Sequence, residues 1–138
     1  MNPIKITAVA FVATFGLAAV ASADDAAGKL PPPSAKMGVA YATDIKPVLD
    51  TSCVKCHSGD KPKARLKLDK LENILKGSKD GKVVVAGDSA KSLLVLAAAH
   101  QTKDPDTWMP PKRFQDKFPP LTPEQIGLIR AWIDQGAK

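Results

Sequence analysis

Cysteine is almost missing from this chain of 138 residues: Cys53 and Cys56 are the only two. Two thiols argue against a structural zinc site, which usually takes four protein ligands, since only His57 and the distant His100 could join them. No cysteine lies near the small-residue run at Ala21-Ser22-Ala23, which excludes a lipoprotein anchor there, and no twin arginine precedes it. Aromatics make up only 5 % of the chain, and none interrupts the basic stretch after residue 53. Without interleaved aromatics or a recognised motif, that stretch does not read as a nucleic-acid surface. Internal repeats are absent. Long uncharged runs are limited to Ile6–Val20, shorter than the about 20 apolar residues a membrane span needs.

That one run has a function of its own. Lys5 before it and Ala21-Ser22-Ala23 after it complete a secretory signal over residues 1–23. The expected mature chain starts at Asp24 and works in the periplasm, with no stable membrane insertion once the signal is removed. Residues 24–40, with Pro31-Pro32-Pro33, have little to bury and read as an extended, proline-rich tether. Residues 41–138 then have the length of one domain.

The two cysteines stand in Cys53-Val54-Lys55-Cys56-His57. This pattern reads as a covalent attachment site for c-type haem. Two thiols on one turn of chain can add to the two vinyl groups of one porphyrin, and the adjacent imidazole can bind its iron. One covalently attached haem c, with its iron, is the expected cofactor. A thioredoxin-like redox pair expects a βαβ setting, of which the sequence has no sign, and a plain disulfide is the remaining alternative.

The iron needs a ligand opposite His57, and Met and His are the usual donors. Met37 falls in the expected tether, and His100 ends an apolar segment. Met109 lies in Trp108-Met109-Pro110-Pro111, where two prolines stiffen the loop. Met109 is therefore the expected sixth ligand, with His100 as the alternative. The loop itself, from Gln101 to Leu121, holds five prolines, and a segment this long without regular structure is expected to be functional.

Helices account for most of the rest. One is expected from Thr43 or Asp44 to the haem motif, with Ile45, Val48 and Leu49 on its apolar side. A short one spans Leu71 to Lys76 and stops at Gly77. The next starts at Asp88 or Ser89 and runs to about His100. The last has Thr122 as cap, Pro123 at the first position and Gln125 three residues after the cap, with Gly136 as terminator. Leu66-Leu68 and Val83-Val85 could add a small two-stranded pairing. Leu49, Val54, Leu94, Trp108, Ile129 and Trp132 are the expected pocket or core residues.

From Ile45 to the C-terminus the sequence resembles a planctomycete-type cytochrome c domain within the single-haem cytochrome c superfamily. The resemblance rests on Cys53-Val54-Lys55-Cys56-His57-Ser58-Gly59, Leu66-Lys67-Leu68-Asp69, Gly87-Asp88-Ser89, Ser92-Leu93-Leu94, Met109-Pro110-Pro111 and Trp132-Ile133-Asp134-Gln135-Gly136-Ala137. It implies an all-α fold, a small helical bundle around one haem with His below and Met above. One departure stands out: Ala64-Arg65 occupies the place where the family often has Gly-Gly.

Together these readings predict a soluble, monomeric periplasmic carrier of single electrons, not an enzyme. Cys53, Cys56, His57 and Met109 are the cofactor-binding residues, and His57 and Met109 the iron ligands. Its partners would be redox donor and acceptor proteins. Lys55, Lys61, Lys63, Arg65, Lys67 and Lys70, in a chain of net charge +6, could form a basic rim that steers acidic ones, or an ordinary solvated surface. Two rivals remain at this level. One is a small haem enzyme or gas sensor with a displaceable sixth ligand. The other is a module through which electrons enter a larger oxidoreductase complex.

Overall fold

The computed structural model describes residues 30–138; the expected signal segment and residues 24–29 of the expected tether lie outside the described residues. The architecture is all-α. Its α-helices are α1 (Lys46–Ser52), α2 (Leu71–Lys76), α3 (Leu93–Ala98) and α4 (Pro123–Asp134), joined by loops with single 3₁₀ turns at Lys63–Arg65, Ser89–Lys91, Pro105–Thr107 and Lys112–Phe114. None of the helices among the described residues is long and apolar enough to cross a membrane.

α1 is preceded by a wide π-helical turn, Tyr41–Ile45, so the chain enters it two residues before the expected start at Thr43. Neither Thr43 nor Asp44 caps α1. Asp44 Oδ2 instead accepts the Ala40 main-chain N–H at 2.9 Å, and Oδ1 takes the Lys36 ammonium. Pro47 sits in the first turn, where its missing N–H has no partner to lose. Ile45 and Leu49 are fully buried, with Val48 packed beside them.

The two-stranded pairing does not form, and no strand occurs among the described residues. The hydrogen-bonding groups it needs are spent elsewhere: Leu68 N–H donates to the His57 carbonyl at 2.8 Å, and the Val83 carbonyl accepts from Leu94 N–H at 2.9 Å. The side chains still point inward, with Leu66, Leu68, Val83 and Val84 all buried. An isolated bridge at Ser78 and Gly81 closes the turn between these segments. α2 ends at Gly77, as expected, whose φ of 92° lies in the region that favours glycine.

The helix expected from residue 88 to 100 is broken in two. Asp88 caps the turn Ser89–Lys91, and the chain then extends at Ser92 before α3 begins. Fully buried Ser92 causes the break. Its hydroxyl donates to the Asp88 carbonyl at 2.9 Å and accepts the Val85 N–H at 2.9 Å, a local alternative to the helical ladder.

α4 follows its sequence signals closely. Thr122 and Gln125 form a reciprocal capping box at 3.2 and 2.9 Å. Gly136, at φ 104°, ends the helix with Gly136 N–H on the Ile133 carbonyl and Ala137 N–H on that of Trp132. Trp132 and Ile133 are at 0 % exposure and Ile129 at 2 %; burying each such side chain contributes roughly 1.5–3 kcal/mol.

The expected tether, from residue 30 onward, lies against α4. Leu30 and Val39 join the core. Ser34 N–H donates to the Gly127 carbonyl at 2.8 Å, and Gln135 bridges Lys36 and Val39. Arg130, only 8 % exposed, donates through Nε to Ser89 Oγ at 3.0 Å and through Nη1 to the Pro31 carbonyl. Three prolines lower the entropy this strap loses on docking, and its Pro31 carbonyl accepts from the Arg130 guanidinium of α4.

Gly127 is where the strap passes closest: a Cβ there would lie 2.6 Å from the Pro32 carbonyl. In an open helix, Gly→Ala adds about 1 kcal/mol of stability. Here Gly127→Ala should lower the denaturant midpoint, and in a chain starting at residue 41 the same change should raise it. Equal effects in both backgrounds would show that the strap does not pack.

Candidate functional site

The Cys53–His57 segment leaves α1 as a tight turn. Cys53 N–H continues the helix onto Leu49, and the Cys53 carbonyl accepts from both Cys56 N–H at 3.1 Å and His57 N–H at 3.0 Å. Both cysteines are free thiols, Cys53 half-buried and Cys56 exposed. Burial, and secondarily the neighbouring Cys56, pushes the Cys53 thiol up to about 11. It is therefore held as the neutral thiol near neutral pH.

His57 is 8 % exposed, and its Nδ1 bonds the Leu66 carbonyl at 3.3 Å. A carbonyl only accepts, so Nδ1 carries the proton and Nε2 is left with its lone pair. Burial lowers the pKa of the ring, against a smaller upward pull from the Leu66 and Lys63 main chain. A neutral imidazole, braced through one nitrogen and free at the other, is the form that binds a metal.

These residues line one side of a cavity of about 350 Å³, within the roughly 300–1,000 Å³ usual for small-molecule and cofactor sites. Leu66, Leu68 and Val83 form one apolar wall, and Leu93, Leu94, Ala97 and Ala98 of α3 another. On α3 those residues share a face, while Val95, at 1 % exposure, points into the core. Met109, Pro110, Pro111, Phe114, Phe118 and Leu121 complete the lining. The Met109–Pro110 peptide bond is cis.

Met109 hangs from the end of α3: its N–H donates to the Ala97 carbonyl at 3.0 Å, and its carbonyl accepts from His100 Nε2 at 3.2 Å. His100 does not line the cavity. Its ring stacks on Trp108, with centroids 5.1 Å apart and planes 8° off parallel, and the Trp108 indole donates to the Thr102 carbonyl at 3.3 Å. Met37 is 82 % exposed and also outside the cavity lining. Cys53, Cys56, His57 and Met109 thus share one cavity, and the two alternative donors lie outside it.

Among the expected pocket or core residues, Leu94 lines the cavity, whereas Leu49, Ile129 and Trp132 are core. Val54 and Trp108 are half-buried and line nothing. Sequence reasoning missed Phe114 and Phe118, whose four-residue spacing in the proline-rich loop was the available signal. It also missed the Leu66, Ala97 and Met109 carbonyls, because main-chain acceptors leave no mark on a sequence. Of the basic cluster, Lys55 lines the cavity; Arg65 and Lys67, with Lys76, turn to a separate polar recess.

These residues fit a haem: a mostly apolar cavity lined by two free thiols, a braced neutral imidazole and a methionine. A family model described as Planctomycete cytochrome C matches residues 53–113, from the first cysteine to the loop just past Met109. No curated protein and no solved structure matches the chain. The matched segment is thus similar to a planctomycete-type cytochrome c domain, a likeness that points to haem binding and electron transfer.

The Gly-Gly departure has a structural counterpart. Ala64 and Arg65 both sit at φ 53°, in the left-handed region, and Ala64 lines the cavity. Such a conformation costs a non-glycine residue about 1–2 kcal/mol, against about 0.5–1 kcal/mol of extra entropy that glycine loses on folding. Ala64→Gly should therefore stabilise the protein by about 0.5 kcal/mol, read as a higher urea midpoint at unchanged slope. A lower midpoint would mean that the turn is not left-handed.

Proposed function

We propose that this planctomycete-type cytochrome c domain belongs to a periplasmic single-electron carrier with one covalently held haem, ligated by His57 and Met109. The observation that carries the reading is the shared cavity: His57 and Met109 both line it, together with Cys53 and Cys56. A haem iron held there supplies reversible one-electron transfer. The thiols of Cys53 and Cys56 would hold the porphyrin covalently, and His57 Nε2 and Met109 on its stiffened loop would be the protein donors to its iron.

The thioether and the apolar walls both favour the less charged, reduced state, so the potential should be comparatively high. We read a carrier and not an enzyme because His57 and Met109 would take both protein-donor positions on the iron. Export is proposed from the signal over residues 1–23, and supplies the compartment where c-type attachment takes place.

Protein expressed with its signal should keep its haem colour through denaturing electrophoresis. Haem extracted by acidified organic solvent would overturn covalent attachment. The ferric protein should show the weak far-red band of a thioether–iron bond, and Met109→Ala should abolish it and lower the potential; an unchanged band would remove Met109 from the site.

Steering by the basic residues is part of the same proposal. Lys55 lines the cavity, and Lys63 N–H is tied to the Cys56 carbonyl at 3.1 Å, so both stand beside the motif. Asp80 and Asp106 interrupt the rim, Asp80 being paired with Lys79. Charge steering fades as the Debye length falls from about 8 Å at physiological salt to about 3 Å at 1 M. Lys55→Glu with Lys63→Glu should slow electron transfer to an acidic partner several-fold at low salt. The same change at Lys67 and Lys76, on the other recess, should do clearly less. Rates indifferent to salt and to both pairs would leave the lysines as ordinary surface.

A further inference from the structure

His100 occupies a backbone position that histidine rarely takes. α3 ends in a tight cap in which His100 N–H meets the Ala97 carbonyl at 3.2 Å and Gln101 N–H meets that of Leu96 at 2.8 Å. This is the helix ending in which the residue after the cap is left-handed and usually glycine, and His100 sits there at φ 56°. A residue held in a strained conformation calls for a compensating interaction of its side chain.

The interactions are on hand, and they converge on Met109. The Met109 carbonyl can only accept, so His100 Nε2 carries the proton and donates, at 3.2 Å. The other face of the arrangement is the His100–Trp108 stack at 5.1 Å, next to Met109 in sequence. With Met109 N–H already on the Ala97 carbonyl, both main-chain polar groups of Met109 are fixed to the last turn of α3 and the residue that caps it. The intervening loop is stapled within itself: Thr107 Oγ1 bonds Thr102 Oγ1 and the Asp104 carbonyl, both at 2.6 Å, and Trp108 N–H the Pro105 carbonyl at 3.1 Å. Residues 100–109 therefore form a closed clasp whose last member carries the thioether.

We infer that His100 is a positioning residue: with Trp108 it clamps Met109 so that the thioether is pre-set toward the cavity and resists displacement. The inference rests on the reading of Met109 as iron ligand. A ligand held on a rigid clasp is rarely released, and an outside ligand can compete only for the released fraction. Loosening the clasp raises that fraction. Losing one hydrogen bond and one aromatic stack together should raise it about tenfold.

His100→Gly separates this role from a merely structural one, because glycine relieves the left-handed strain while removing the side chain. Imidazole is titrated into the ferric holoprotein, and loss of the far-red thioether band is followed alongside the thermal midpoint. The expected result is a band still present without imidazole, half-displacement at about one-tenth of the wild-type imidazole concentration, and a midpoint close to wild type. Trp108→Leu, which removes the stack and keeps the donor, should show about a threefold effect in the same direction. Wild-type imidazole affinity in both variants overturns the clamp and leaves Met109 as ligand. Lower affinity for imidazole in His100→Gly overturns it too. If Met109→Ala retains the band and the wild-type affinity, the ligand assignment itself fails, whatever His100 does. Should His100→Gly not fold, the side chain is structural, and the inference falls unless Trp108→Leu gives its threefold shift.

Discussion

The burial of α4 is the interaction on which the other parts lean. Leu66, Leu68, Val83, Leu93 and Leu94 are committed to the walls of a cavity, so they cannot pack only against one another. The close-packed interior a domain needs is concentrated around Trp132, Ile133 and Ile129, with Ile45, Leu49 and Val95 against them. One polar network ties the outer segments to the same helix. Arg130 donates to Ser89, and Ser89 donates through N–H and Oγ to Asp134 at 2.7 and 2.9 Å. Arg130 and Asp134 lie one turn apart, so a single helix face holds the strap at Pro31 and the turn that leads into α3. A buried guanidinium is tolerable here because its Nε and Nη1 donors both meet acceptors.

From that base the site is held by main-chain bonds more than by side chains. His57 leans on the Leu66 carbonyl, Leu68 on the His57 carbonyl, and Met109 on Ala97. Two of these three bonds are main chain to main chain and cost no side-chain entropy. The segments that might have paired as strands serve this purpose instead, which is the physical reason the sheet is missing. Their alternation of leucine and lysine was a true signal of one face in and one face out, without a ladder to accompany it.

Beside the cavity and its loop, the same economy accounts for strained backbone in two places. Ala64-Arg65 and His100 are left-handed without glycine, and both adjoin the cavity or its loop. At residues 64–65 nothing in the side chains compensates, whereas at residue 100 the imidazole makes a stack and a hydrogen bond. A domain of this size has few kilocalories to spare, so strain with a compensating contact and strain without one have different meanings.

What the sequence by itself determined was local. The Cys53–His57 motif, the Thr122–Gln125 capping box, the stop at Gly77 and the terminator Gly136 depend on atoms a few residues apart, and each is legible from spacing alone. Tertiary structure decided what depends on distant segments. It folded Leu30 to Ala40 onto α4, turned Leu66 and Leu68 into a wall, and split the helix at Ser92 by offering its hydroxyl two main-chain partners. It also drew Met109 to the cavity and kept His100 out of it. In the sequence Met109 was the expected donor, because prolines stiffen its loop, and His100 the alternative; the end of α3 fixes both. The carbonyl of one meets the ring of the other, and only the folded chain can state that contact.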